Sequence, residues 1–262
     1  MKKRLSRSMF KLSTLSAALL VAGAAQADTL ADLSKAVKDS KVDVQLRYRV
    51  ETVDQDGIDE DAMASTLKSR LTVKSGKFKG FSALVEVDDV SNIGNDSYNS
   101  TINGKSDYPV VADPVSTEIN QANIKFHGDK FTAIAGRQRI LLDDQRFVGG
   151  VGWRQNEQTY DGYRFLINPT KNFKVDASYI VNVNRIFSEK SESKSDLHGD
   201  IYLINANYKI NKAHKVTAYS YGMDFDKAVA LSNTTFGVTY NGKFNLSDST
   251  KLAVKAGYAS QS

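Results

Sequence analysis

The chain has 262 residues, no cysteine, three prolines, 41% hydrophobic and 25% charged residues. Lack of Cys excludes disulfide scaffolds, thiolate metal sites and cysteine nucleophiles, and no apolar run reaches the eighteen or so residues of a spanning helix. The net charge of +5 comes from residues 1–27, where Lys2, Lys3, Arg4, Arg7 and Lys11 stand without an acid; taking those five from 35 leaves 30 bases against 30 acids. The remainder is neutral, so the inference from a basic chain to nucleic acid fails, and no nucleic-acid partner is expected.

Residues 1–27 read as a secretory signal peptide: a basic start, an apolar stretch over 15–25, and the small-x-small site Ala25-Gln26-Ala27. No lipobox cysteine follows. Export of a chain without Cys fits the periplasm or outer membrane of a Gram-negative bacterium. Residues 28–40 are expected to form an N-terminal periplasmic segment with a short helix, because Leu30, Leu33 and Val37 recur at helical spacing.

From Lys41 the period changes to two. Val42, Val44, Leu46, Tyr48 and Val50 alternate with Asp43, Gln45, Arg47, Arg49 and Glu51. The pattern returns over 67–74, 81–88, 122–126, 173–184, 202–210, 235–244 and 251–258, and less cleanly over 130–138, 158–168 and 215–224. Short turns are expected at 75–80, 127–130, 168–172, 211–215 and 245–250. Longer loops are expected near 53–64, 90–117, 140–157, 185–197 and 225–232. No proline interrupts a strand, as ladder bonding requires.

About eleven strands of roughly ten residues, with short turns at one end and long loops at the other, predict an all-β fold, a transmembrane antiparallel β-barrel occupying residues 41–262. A soluble sandwich or lipocalin-like barrel would alternate too, with its apolar face inside. In the membrane reading the apolar rows meet lipid, since a Lys or Arg facing lipid at the midplane would cost roughly 2–4 kcal/mol. The charged rows then line a lumen. Its clean basic members are Arg47, Arg49, Lys68, Arg70, Lys74, Lys125, Lys174, Lys209, Lys243, Lys251 and Lys255; its acidic ones are Asp43, Glu51, Glu86, Asp88 and Asp176. Eleven against five predicts a cation-lined passage that concentrates anions. The alternative is that these charges pair with one another and merely fill a polar interior.

One block is unusually polar: Gly136-Arg137-Gln138-Arg139-Ile140, Asp143-Asp144-Gln145-Arg146-Phe147-Val148-Gly149-Gly150, Trp153-Arg154-Gln155-Asn156 and Thr159-Tyr160-Asp161-Gly162. It lies between two strands and is expected to be a long loop that folds into the mouth or lumen. The block resembles the alginate-export-like family of outer-membrane porins. So do Leu46-Arg47-Tyr48-Arg49-Val50-Glu51, Val53-Asp54-Gln55-Asp56-Gly57, the stretch Ala64 to Leu71, and the stretch Tyr108 to Pro114; the likeness runs along most of residues 41–170. It implies an outer-membrane barrel passing solutes passively, with arginines in the pore. Carried over residue by residue, it implicates Arg47, Arg49, Arg137, Arg139, Arg146 and Arg154. The pore-lining set expected from pattern and resemblance together adds Arg70, Lys125, Lys174, Asp143 and Asp144. For the two aspartates, a brace paired with arginine is preferred to a calcium site.

The sequence therefore points to passive diffusion of small or anionic solutes, saccharides and uronates among them, in a setting of outer-membrane lipid and lipopolysaccharide. No cofactor is expected. A strand count of eleven is odd, so fourteen to eighteen strands are expected in the closed barrel, the resemblance favouring eighteen. The rival reading is an adhesin or receptor barrel using its long loops, the Asn- and Ser-rich segment 91–117 above all. An enzyme reading would rest on His198 beside Ser195, Asp196 and Asp200; proximity in sequence is little support for a triad, and no enzyme is expected.

Overall fold

The computed structural model describes residues 27–262. The expected signal peptide lies outside the described residues apart from Ala27. A helix, α1 (Ala27–Lys38), precedes eleven strands: β1 (Lys41–Val53), β2 (Ala62–Lys74), β3 (Phe81–Ser97), β4 (Ser116–His127), β5 (Phe131–Gln138), β6 (Thr159–Ile167), β7 (Phe173–Asn184), β8 (Asp196–Lys209), β9 (His214–Phe225), β10 (Asn233–Asn245) and β11 (Lys251–Gln261). Each strand pairs antiparallel with the next, in one sheet ordered β1 to β11. Short turns and long loops alternate, as the spacing predicts.

Period-two sequences cannot be served by a helix, and in a sheet they sort side chains onto two faces. Here the sorting is the reverse of a soluble core. Lys68 is 2% exposed, Arg70 8% and Glu86 4%, whereas Val44 is 67%, Leu46 65% and Leu71 45% exposed. A water-soluble protein buries the other set. Lipid explains the inversion: it solvates the Val, Leu, Tyr and Phe rows, and the hydrogen-bonded ladder leaves few backbone groups to satisfy. This is the arrangement of a transmembrane β-barrel, and it sets aside the soluble sandwich.

Three details differ from the periodicity. β3 runs on to Ser97, although the Asn- and Ser-rich sequence there predicts loop; its outer end still pairs with Met63 and Ala64 of β2. The end of the following loop is anchored, with Tyr98 and Val111 packed on Ala62 and Ala64. Val183, assigned by alternation to the lipid face, is 5% exposed and joins an inner apolar cluster. The register explains this: Gly162 pairs with Ile180 and Asp161 with Asn182, so Val181 is an extra residue and the strand turns over there. In α1, finally, Ala36 is the buried position; its carbonyl accepts the Gly76 N–H at 2.9 Å, while Leu30, Leu33 and Val37 stay exposed.

Candidate functional site

The β5–β6 connection, residues 139–158, binds across the inner face. Its start is set by Gly136, whose φ is +112° and whose position leaves no room for a side chain: a Cβ there would lie 2.4 Å from the Ala122 carbonyl oxygen. Only glycine takes that backbone at no steric cost. Beyond Gln138 the chain leaves the sheet, and Ile140, Leu142 and Val148 pack on Ile180, Ile201, Leu203 and Tyr221 from the inner faces of β7–β9. Complete burial of such a side chain contributes roughly 1.5–3 kcal/mol. The loop is thus held to one side of the sheet by an apolar patch.

Its other end crosses to β1 and β2. Gln155 is fully buried. Its Nε2 donates to Thr66 Oγ1 at 2.8 Å, its Oε1 accepts from Arg47 Nε at 2.9 Å, and its backbone N–H donates to Asp113 Oδ1 at 2.8 Å. Arg47 also donates to the carbonyls of Gly152 and Arg154, and Arg49 to that of Trp153. The Arg154 guanidinium stacks 4.2 Å from the Trp153 ring centre, with that of Arg49 at 5.3 Å.

Three clusters of paired charge accompany the loop. In the first, Arg70 holds Asp88 in a two-pronged contact at 2.7 and 2.6 Å and meets Glu157 at 3.0 Å. Arg139 bridges Glu86 at 2.7 Å and Glu157 at 2.6 Å, and Lys68 lies 3.6 Å from Glu157. Three cations thus meet three carboxylates. Glu86 also accepts from Thr72, Asn120 and Gln121. In the second, Arg49 and Arg154 face Glu51 and Asp113. In the third, Arg137 binds Asp161 at 2.9 Å and Glu189, from the β7–β8 loop, at 3.3 Å. Such pairing is what makes buried charge tolerable.

Two loop carboxylates are shifted in opposite directions. Burial pushes the Asp113 carboxyl above the usual carboxylate range, against the pull of the Gln155 N–H, Arg154 and Arg49. Burial presses Glu157 the same way, but Arg139, Arg70 and Lys68 outweigh it and hold the group below that range. The difference is one of contact: among the described residues Asp113 Oδ2 accepts no hydrogen bond, and it keeps its arginines 3.7 and 3.8 Å away.

Of the residues singled out in the sequence, the structure brings together Arg47, Arg49, Arg70, Arg139 and Arg154, with Arg137 alongside. It leaves Arg146 exposed at the far end of the loop, 6.0 Å from the Phe147 ring centre. Lys125 and Lys174 stand on β4 and β7 and make no ion pair among the described residues. Asp143 and Asp144 do brace the loop, but not through arginine: Asp143 accepts from Asn205 at 2.6 Å and Asp144 pairs with Lys255 of β11. His198 lies 3.3 Å from Asp196 at an exposed strand start. Charge pattern alone missed Glu157, Asp113, Asp161 and Glu189 as counter-ions. Glu157 follows the Trp153–Asn156 element directly, and a carboxylate so placed in an arginine-rich loop was the available signal.

The sheet agrees with known proteins. No curated protein matches the chain. Among solved structures, Acinetobacter baumannii OccAB3 superposes with a TM-score of 0.68 at 18% identity, over 86% of this chain and 58% of that one. Pseudomonas aeruginosa OccK9 (OpdG) gives 0.64 at 12% identity, over 86% and 59%. Pseudomonas aeruginosa OpdK, solved with vanillate, gives 0.62 at 15% identity, over 86% and 58%. The chain therefore spans under two thirds of the length of these structures, and the likeness establishes the fold. The sequence profile for alginate export matches residues 38–255. The chain belongs to the alginate export family, whose members are porin-like β-barrels of the Gram-negative outer membrane.

Proposed function

We propose that the protein is a diffusion channel for small or anionic solutes, uronates and other carboxylates among them, whose passage is narrowed by the β5–β6 loop. The observation that carries this reading is the crossing of the inner face by residues 139–158, from Gln155 on Thr66 to Asp144 on Lys255. A loop held at both sides of a barrel interior restricts the bore without closing it. Arg49, Arg70, Arg137, Arg139 and Arg154 line that narrow passage with their carboxylates, and Arg47 lines it bound to the loop's carbonyls. Paired charges of this kind present alternating donors and acceptors to a solute rather than a uniform field. An anion then gains by exchanging one carboxylate partner for itself, and arginine suits carboxylates because its planar fork binds both oxygens. A carboxylate ligand in OpdK, vanillate, is in keeping with this preference.

The test is conductance of the full-length protein in planar bilayers. Current in KCl with a reversal potential of the anion-preferring sign is expected. Arg137→Ala and Arg154→Ala should lower that preference. A silent membrane, or a cation preference, would refute the proposal; a silent membrane is what a plugged adhesin barrel would give.

A further inference from the structure

The short-turn end of β8–β11 carries charge of another kind. The turns before β7 and β9, with strands β8 to β11, border an open cavity of about 840 Å3. Lys171, Lys209, Lys212, Lys215, Lys243 and Lys255 line it, and no carboxylate does. Four strands thus each bring a lysine to one place, and two turns add theirs.

The ladder register makes the crowding explicit. Lys209 and Lys215 stand directly opposite one another, a like-charge pairing that destabilises a sheet. Asn241 sits between Lys215 on one side and Lys255 on the other, an amide placed amid ammonium groups. Among the described residues the lone ion pair of these six lysines is that of Lys255 with Asp144, at about half exposure on both sides. The other five make no ion pair among the described residues. Like charges gathered in a cavity where one acid, Asp144, pairs one of six lysines raise the local concentration of anions. Flexible lysine stems deliver point charges that adjust to an anion of irregular shape.

We infer that this cavity is a binding site for multivalent oxyanions at the short-turn mouth, made of lysines rather than the arginines of the passage and adjoining it at Lys255. One anion bearing several charges neutralises several lysines at once, which chloride cannot do. In outer-membrane barrels the short turns face the periplasm, so the site receives solute from that side. Its part in transport rests on the channel reading; its binding does not.

Two measurements separate these. Titration calorimetry of the solubilised full-length protein with inorganic tripolyphosphate at low salt should show binding. The triple variant Lys209→Gln, Lys215→Gln, Lys243→Gln should weaken it about tenfold or more, while a triple Lys→Arg variant should retain it. Equal binding by wild type and the Gln variant would overturn the site. In planar bilayers, tripolyphosphate added on the short-turn side should block KCl current at lower concentration than on the loop side, and the Gln variant should lose the difference. Block without sidedness would overturn its placement at that mouth. No current in KCl would refute the channel reading, and calorimetry would still decide the site.

Discussion

The inner face of β1–β6 and that of β7–β11 handle positive charge in opposite ways. On the first, Arg70 is buried and Arg49, Arg137, Arg139 and Arg154 are half-buried, each held by carboxylates that arrive from neighbouring strands and from loops. On the second, lysines stand open around a cavity, two of them face to face across a ladder. The residue types suit the difference, because guanidinium is weakly hydrated and forked while ammonium is strongly hydrated and compact. The lesson is that a count of charges along strands does not give the field inside a barrel. Counter-ions supplied by loops cancel charge in one half and leave it standing in the other.

Removing one cation from each half is the sharpest way to break the comparison. Arg70→Ala should leave Asp88, Glu86 and Glu157 short of a shared partner in a buried place and cost about 3–5 kcal/mol. Arg70→Lys should restore part of this, since the two-pronged contact to Asp88 needs a fork. Lys215→Gln should do the reverse and stabilise by a few tenths of a kcal/mol, roughly the lower end of a cross-strand like-charge penalty. Denaturant midpoints of the refolded full-length protein measure all three. Equal losses for Arg70→Ala and Lys215→Gln would erase the distinction between the halves.

A smaller effect tests what ties the loop to the arginine half. Gln155→Ala removes a buried amide that serves Thr66 and Arg47 together. Stranded polar groups of this kind cost about 1–3 kcal/mol. Amide hydrogen exchange over residues 150–158 should accelerate, while that over 140–148, held by Ile140 and Leu142 on β7–β9, should hold. Acceleration of both segments alike would mean that the loop opens as one body.

How far these halves could be foreseen follows from how local each signal is. Alternation is local, so the strands, the polarity of their faces and the order of short and long connections were legible, and so were Arg47, Arg49, Arg137, Arg139 and Arg154 as members of one polar set. Pairing is not local. Asp113 reaches Gln155 from another loop, and Glu189 reaches Arg137 from a third; no spacing rule encodes such a meeting. Lys215 was hidden because β9 alternates poorly. The apolar seat of the loop left a readable trace in Ile201-Tyr202-Leu203-Ile204, four apolar residues that break the period because both faces are covered. Eleven bases against five acids described neither half: Asp113, Glu157, Asp161 and Glu189 pair the arginines, and Lys215 adds to the open lysines.

Acid separates the two loop carboxylates with the smallest effect of the set. Glu157 has a folded value below its ordinary one of about 4.3. Its contribution to stability is therefore present above the ordinary value and lost as pH falls through the folded one. Asp113 has a raised folded value, so its ionised form costs stability, and protonation on the way down relieves that cost. Below about pH 4, under the ordinary carboxylate values, contacts of Glu157 with Lys68, Arg70 and Arg139 should weaken, after Asp113, with its raised value, has already taken up its proton. Glu157→Gln should remove the acid-induced loosening, and Asp113→Asn should leave it in place, as read by exchange at residues 155–158 across that range. If Asp113→Asn were the variant that abolished the response, the close contacts of Glu157 would not be what the arginine half relies on.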